Sequence, residues 1–521
     1  MPYDNEPSKI DDKIALLIQQ ARTGRQHFQT AYNNFFDLAA PWRSRVGEKA
    51  TELDPQAPSE QDNIFDTTLQ EAVDDWASDC HDEFTPSYRP WTTYEAIGGT
   101  EQFSQASKKK IIEFVTNRMR KVYDRINQSN FEEEVEGCYV DLAIAPTGLD
   151  VILTPAGQPL RFEHIPISEL LILPSPFGGV GDRFRERQVQ WKHLELIWPD
   201  ADWGKVKTGS MMDTNGTVTV VKALMRDWRN RSEEVWREYL FCEGKIVQTL
   251  DPVSGPGSCS MIVARPRVSS PSAYGIGYAN KSVPAARVLD EMAYLELKRT
   301  GKVIDPSYLF SDDGTFNAEG GIDNGEFVEA GEGFELKSLA PDNDGREAWF
   351  VQDKLEATVK RGLFQDGPQQ TGDTPPTLGQ WMDQKETASR RKGFPRSRIS
   401  NELVVPTLRR VDWCLMQRKE LEAALKVEDE LVRFQPISPM SRASDLQEIQ
   451  MANQHLQMFA GHFGDQAMDY YDVPEMMEEA NKKLGGSVVK IRSEDAVTKL
   501  RTERAQLEAA ASGGLGELPS G

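Results

Sequence analysis

Two amphipathic runs that enclose a long acidic insertion limit what this chain can become. The first begins near Val283 and spaces Ala285, Val288, Leu289, Met292 and Leu295 in helical rhythm. The second carries Val351, Leu355, Val359 and Leu363 in the same rhythm. Between them, residues 303–345 hold eleven carboxylates and a single cation, Lys337, for a net charge of −10. Each run is about 17–20 residues long, which spans ~25–30 Å as a helix. Paired antiparallel, the two would carry the insertion outward on a stalk. Apolar faces this broad exceed what one antiparallel partner can cover, which predicts neighbours on both sides.

The stretch leading into the first run, "SAYGIGYANKS", pairs Gly275 and Gly277. The third position of a G-x-G-x-x-G phosphate loop is Asn280, and no GK[ST] occurs in the chain. What remains is an aromatic-glycine turn with Pro284 at a helix start, which reads as a structural junction.

Upstream, Ile14, Leu17, Ile18, Ala21, Phe28, Tyr32, Phe35 and Phe36 predict a helix ending at Pro41. Phe65, Leu69, Val73 and Trp76 predict a second, and Ile111, Val115, Met119, Val122 and Ile126 a third. From about Val135 to Val268 the runs are short, β-branched and broken by turn residues, which predicts a mainly β domain. Downstream, "DGPQQTGDTPPT" cannot be helical. A long helix follows towards Leu425, with kinks allowed at Pro395 and Pro406, and three shorter helical stretches occupy 444–511. The fold class is therefore α+β and mostly helical.

A chain of 521 residues with a formal charge of −22 repels polyanions over most of its surface. Its five cysteines, Cys80, Cys138, Cys242, Cys259 and Cys414, form no CxxC pair, as expected of free thiols in a reducing compartment. The opening residues lack a secretory pattern, and no apolar run reaches the ~20 residues of a membrane span. "DDWASDCHDEF" crowds Asp74, Asp75, Asp79, His81, Asp82 and Glu83, but without ordered ligand spacing; a solvated helix end is the plainer reading. "DNDG" at 342–345 reads as a turn. There is no HExxH, no GxSxG and no Cys/His/Asn arrangement. The sequence predicts no catalytic residue, no metal site and no cofactor.

Several segments, in order, resemble the portal, or head-to-tail connector, proteins of short-tailed double-stranded DNA phages. They are "FTPSYRPW" (84–91), "APTGLDVILTPAGQPLRFEHIPISEL" (145–170), Tyr274–Gly277, "VIDPSYLFSDDG" (303–314) and "QTGDTPPTLGQWMDQKETASRR…ISNELVVPTLRRV" (370–411). Ile276 stands where the family often has Arg.

The resemblance implies a ring-forming subunit with a wing at 1–281, β-rich at about 135–268, and stem helices at 282–302 and 350–366. It implies a clip at 303–349, a tunnel loop at 367–378, a further wing part at 379–443 built on the long helix, a helical crown at 444–512 and a disordered tail at 513–521. It assigns the wing–stem elbow to Tyr274, Gly275 and Gly277. It turns Gly367, Pro368, Gln369, Gln370, Thr371, Gly372, Asp373 and Pro375 towards a channel. Asp312, Asp313, Glu326, Glu329, Glu332 and Glu335 of the clip would dock partners or repel DNA.

Implied partners are further copies of the chain, typically twelve in all, the large terminase subunit, major capsid and scaffolding proteins, and tail adaptor or nozzle proteins. Double-stranded DNA would pass without sequence specificity, and no membrane is involved. The protein would assemble in the host bacterial cytoplasm and reside at one vertex of the virion. Two other classes compete: a metal-dependent nuclease of phage DNA processing, which would need a basic cleft around its acids, and a capsid adaptor or scaffold without a channel.

Overall fold

A computed structural model describes residues 7–43, 46, 63–87, 91, 93–97, 103–206, 216–230, 233–268, 272–304, 308–309, 337–338, 346–365, 393, 395–422, 424–427, 430–437, 449, 451–458, 476 and 502. The chain divides into two compact units, Met1–Trp91 with Ala96–Phe434, and Thr92–Glu95 with Gln435–Gly521. In the second unit the described residues include a helical run at 451–458. All that follows concerns the first unit.

Its elements begin with helix α1 (Pro7–Ala39), α2 (Thr68–Phe84), strand β1 (Thr93–Ala96), α3 (Gln105–Asn127) and α4 (Phe131–Ile144). Strands β2 (Thr147–Ile152), β3 (Arg161–Ile165), β4 (Leu170–Pro174) and β5 (Val180–Gln190) follow, then the short α5 (Trp191–Ile197). Next come β6 (Thr217–Arg226), β7 (Val235–Cys242), β8 (Lys245–Thr249), β9 (Val253–Ser254), β10 (Met261–Ala264), β11 (Arg267–Val268) and β12 (Gly275–Ile276). Helix α6 (Val283–Ile304), the two-residue strands β13 (Tyr308–Leu309) and β14 (Lys337–Ser338), and α7 (Arg346–Gly362) come next. A π-helical turn at Ser400–Val404 enters α8 (Val405–Gln417), and β15 (Ala424–Val427) and β16 (Glu430–Ile437) form a hairpin.

The largest sheet is antiparallel in the order β4-β5-β6-β7-β8, with β9 also on β7. Side chains alternate across a strand, and both faces are covered here. Val221, Ala223, Tyr239 and Phe241 meet Ile14, Ile18 and Ala21 of α1. On the other face Val218, Val220, Leu240 and Cys242 meet Leu194 of α5 and Trp203 just beyond it. An exposed strand edge is a template for stray pairing, and both edges are occupied. The Arg25 guanidinium donates to the carbonyls of Ile167, Ser168 and Leu170 beside β4. At β8, the Asp11 carboxylate accepts from the Ile246 amide, and the Asp202 amide donates to Val247 O.

A smaller sheet, β10-β2-β3, packs on α4. Asn130 acts as a missing strand mate for β3, donating to Phe162 O and accepting from its amide, both at 2.9 Å. The two sheets are tied by a buried ion pair. Lys222 of β6 reaches Asp150 of β2 at 2.7 Å and donates to the Ser260 hydroxyl at 3.2 Å. Burial alone would raise the Asp150 carboxyl, but Lys222 and then Arg185 overcome this and hold it below its ordinary value of 3.8.

Two sequence expectations are corrected. The β-rich segment does not start at Val135, because residues 131–144 form α4. That helix is buried nearly all round, from Val135 through Cys138, Tyr139 and Val140 to Ile144, so no polar face marks a helical period. The long helix expected within 379–443 stops at Gln417, and Lys419 with φ +60° turns the chain into the β15–β16 hairpin.

Asp150→Ala would strand Lys222 beneath the smaller sheet, at a cost of about 3–5 kcal/mol at neutral pH. A carboxyl lowered by folding stabilises above its unfolded value and loses that contribution as pH falls through the folded one. The difference in thermal midpoint between wild type and variant is therefore expected to be full at neutral pH and to close only below the ordinary value of 3.8.

Candidate functional site

The junction anticipated at residues 272–282 is where the sheets, α1 and the two long helices meet. Tyr274 is buried, its hydroxyl accepting from the Ile172 amide at 3.0 Å and donating to Ala21 O at 3.2 Å. Desolvation pushes that hydroxyl up to about 12. Tyr32 of α1, fully buried, donates to Gly275 O at 2.6 Å. Phe28 packs near both tyrosine rings, with centroids 5.8 and 5.9 Å away. One polar link and several ring contacts thus fix the turn against a single helix.

The two glycines are needed for space. Gly277 has φ −59°, which any residue adopts, and donates to Ile144 O at 2.9 Å. A Cβ there would lie 2.2 Å from Ala143 O and 2.3 Å from Ile144 O, at the end of α4. A Cβ on Gly275 would lie 2.6 Å from Arg267 O, across the β11–β12 pairing. Neither obstacle is a side chain that could swing away.

A 3₁₀ turn at Tyr278–Lys281 leads into α6. Ser282 is fully buried, and its hydroxyl donates to Val359 O at 2.8 Å. Val359 belongs to the last turn of α7, where carbonyls lack helical partners. A Cβ on Gly362 would fall 2.0 Å from the Ser282 hydroxyl oxygen, so glycine lets the helices meet. Phe364 ends α7 with φ +65°, a conformation usually left to glycine. Its ring meets Tyr278 edge-on at 6.0 Å, which gives the strained position a packing reason.

From this fixed base the helices run outward. Ala285, Ala286 and Leu289 are buried on α6, and Val359 and Leu363 at the end of α7. Farther along, Leu295 is 53% exposed, Leu297 59%, Ile304 68% and Phe350 73%. Val288 and Val351 are open too. This one chain leaves a long apolar stripe uncovered.

The expected elbow residues therefore come together. The tunnel-loop residues Gly367 to Pro375 and the clip residues Asp312, Asp313, Glu326, Glu329, Glu332 and Glu335 lie outside the described residues. The acids at 74–83 do not converge: Glu83 pairs with Arg396 at 2.7 Å and His81 lies 3.5 Å from Glu132. Among the described residues no group of three or more His, Cys, Asp or Glu could hold a metal, and no helix is long and apolar enough to cross a membrane. All five cysteines are buried and free.

Sequence reasoning missed one constellation, Asp141–His164–Thr147. His164 Nε2 lies 2.8 Å from Asp141 and 3.1 Å from the Thr147 hydroxyl. A nucleophile relay uses the two ring nitrogens for different partners, whereas here one nitrogen faces both. Asp141 and Thr147 are wholly buried. Burial would raise the Asp141 carboxyl, but Arg43 and then His164 lower it. The arrangement ties α4 to β2 and β3.

Across residues 11–488 the sequence matches the family described as bacteriophage head to tail connecting protein. No curated protein matches it. Among solved structures, a chain of the virion of the native gene transfer agent (GTA) particle aligns at 11% identity and a TM-score of 0.34, covering 85% of this chain and 95% of that one. A chain from the neck of the native GTA particle computed with C12 symmetry aligns at 10% and 0.35, covering 79% and 92%. Likenesses this distant carry no structural argument.

Gly277→Ala is expected to destabilise by at least the ~1–3 kcal/mol typical of overpacking. Gly301→Ala, on α6 with nothing within 4 Å of the added carbon, should be neutral or stabilise by up to ~1 kcal/mol. Chemical denaturation of both variants beside wild type checks the contrast.

Proposed function

Because the chain belongs to the bacteriophage head-to-tail connecting protein family, we propose that it is a portal subunit. In this reading identical copies close into a ring at one capsid vertex, twelve being the number the resemblance implies. The ring is the channel for genome packaging and ejection, and the platform on which terminase and tail adaptor proteins dock. The observation that carries the reading is the apolar stripe of α6 and α7, open at Leu295, Leu297, Ile304 and Phe350. Contiguous apolar surface rimmed by charge marks an interaction site. In a cyclic assembly each subunit offers one flank of its helix pair to each neighbour, so both flanks are covered without any foreign chain.

The remaining assignments follow the same reading. Residues 1–281 and 379–443 are the wing, 282–302 and 350–366 the stem, 303–349 the clip, 367–378 the tunnel loop and 444–512 the crown. An absent nucleotide motif fits a conduit whose motor is another chain. The net −10 over residues 303–345 fits a surface that releases DNA and steers basic partners, felt only within the ~8 Å Debye length at physiological salt. A short-tailed phage is the source the resemblance favours.

Leu295→Asp and Phe350→Asp test the proposal. Both side chains are more than half exposed in the single chain, so each variant should keep its thermal midpoint. Sedimentation should move from a large closed oligomer to single subunits. An unchanged large oligomer in both variants would remove the stripe from the interface.

A further inference from the structure

We propose that a notch beside the edge strand β8 is a socket for a lysine or arginine side chain presented by a partner protein. A cavity of about 180 Å³ opens between the end of α5 and β8. Ile197, Leu240 and Leu250 give it apolar walls and Trp198 an aromatic one. Its charged lining residues are Asp200 and Glu238, both acidic. Small-molecule pockets usually measure ~300–1,000 Å³. This one is the size of a single elongated side chain.

The lining selects what enters. A long cationic side chain buries its methylene stem against apolar walls while its head reaches polar groups. Trp198 offers a face that attracts cations. Glu238 lies 3.5 Å from Lys222, but that ammonium is closer to Asp150, at 2.7 Å. One cation thus serves two carboxylates, and the trio keeps a net negative charge. An anion would be repelled, and an apolar group would strip water from two carboxylates with nothing in return.

The rim argues for a protein rather than a free amine. Leu196 is 79% exposed, and Leu250 is also open. Such a rim gives a partner chain apolar surface beyond the socket, which a free amino acid would leave uncovered. The notch lies apart from the stripe on α6 and α7, so it does not depend on the subunit contact proposed above.

The test uses the full chain and a fluorescent peptide of alternating leucine and arginine that carries one photoreactive leucine. Cross-links are expected at residues 196–200 and 248–250. Asp200→Asn and Leu250→Ser should each weaken binding about tenfold. Asp124→Asn, at an exposed carboxylate on α3, should leave binding unchanged, which separates the socket from the general attraction of an acidic chain. A leucine–glutamate peptide should not bind. Cross-links confined to other acidic segments, or an Asp200→Asn affinity within about twofold of wild type, would overturn the socket. Displacement of the peptide by equimolar free arginine would overturn its assignment to a protein partner.

Discussion

The close approach of Gly277 to the end of α4 is the contact on which the architecture turns. With only hydrogen on its Cα, the chain passes directly over Ala143 O and Ile144 O. That path sets where Tyr278 and Ser282 lie. Ser282 in turn receives the last turn of α7 through Val359 O, so the pair of helices leaves the body from a base with little freedom. Tyr32 and Tyr274 secure the same turn to α1 and β4. A base fixed this way lets the outer part of the helix pair stay apolar without collapsing onto its own wing, because its direction is set before that surface is reached.

Buried polar groups do comparable work in the wing. Lys222–Asp150 joins the two sheets, Asp141–His164 joins α4 to β3, and Arg118–Asp412 joins α3 to α8 at 3.2 Å. Each is a costly burial that holds only with both partners in place. Arg265 adds a fourth tie, gripping Glu402 at 2.7 Å within the π-helical turn and so fixing the entry to α8 beside the elbow strands. A rigid wing of this kind transmits force as a unit, as a ring loaded by moving DNA requires.

Helices α1, α2, α3, α6 and α7 were legible because each shows water one polar face, and Gly275 and Gly277 marked a junction because few other residues tolerate such crowding. The carbonyls that crowd Gly277 were not legible, since they come from α4, more than a hundred residues earlier. Helix α4 itself was read as strand because burial on all sides erases its period. The β15–β16 hairpin hid in a charged segment that continued the helical pattern. Asp141, His164 and Thr147 gave no motif, being spread over three elements. The notch was equally hidden, since Asp200 and Glu238 are ordinary acids until the sheet brings them together.

The central claim is that the exposed stripe on α6 and α7 is the seam of a closed ring. Electron microscopy of the purified protein tests it most directly. Rings of identical subunits around an open axial hole, with the helix pairs packed side by side, are the predicted result. Single subunits or dimers without a hole, across buffer conditions, would contradict it.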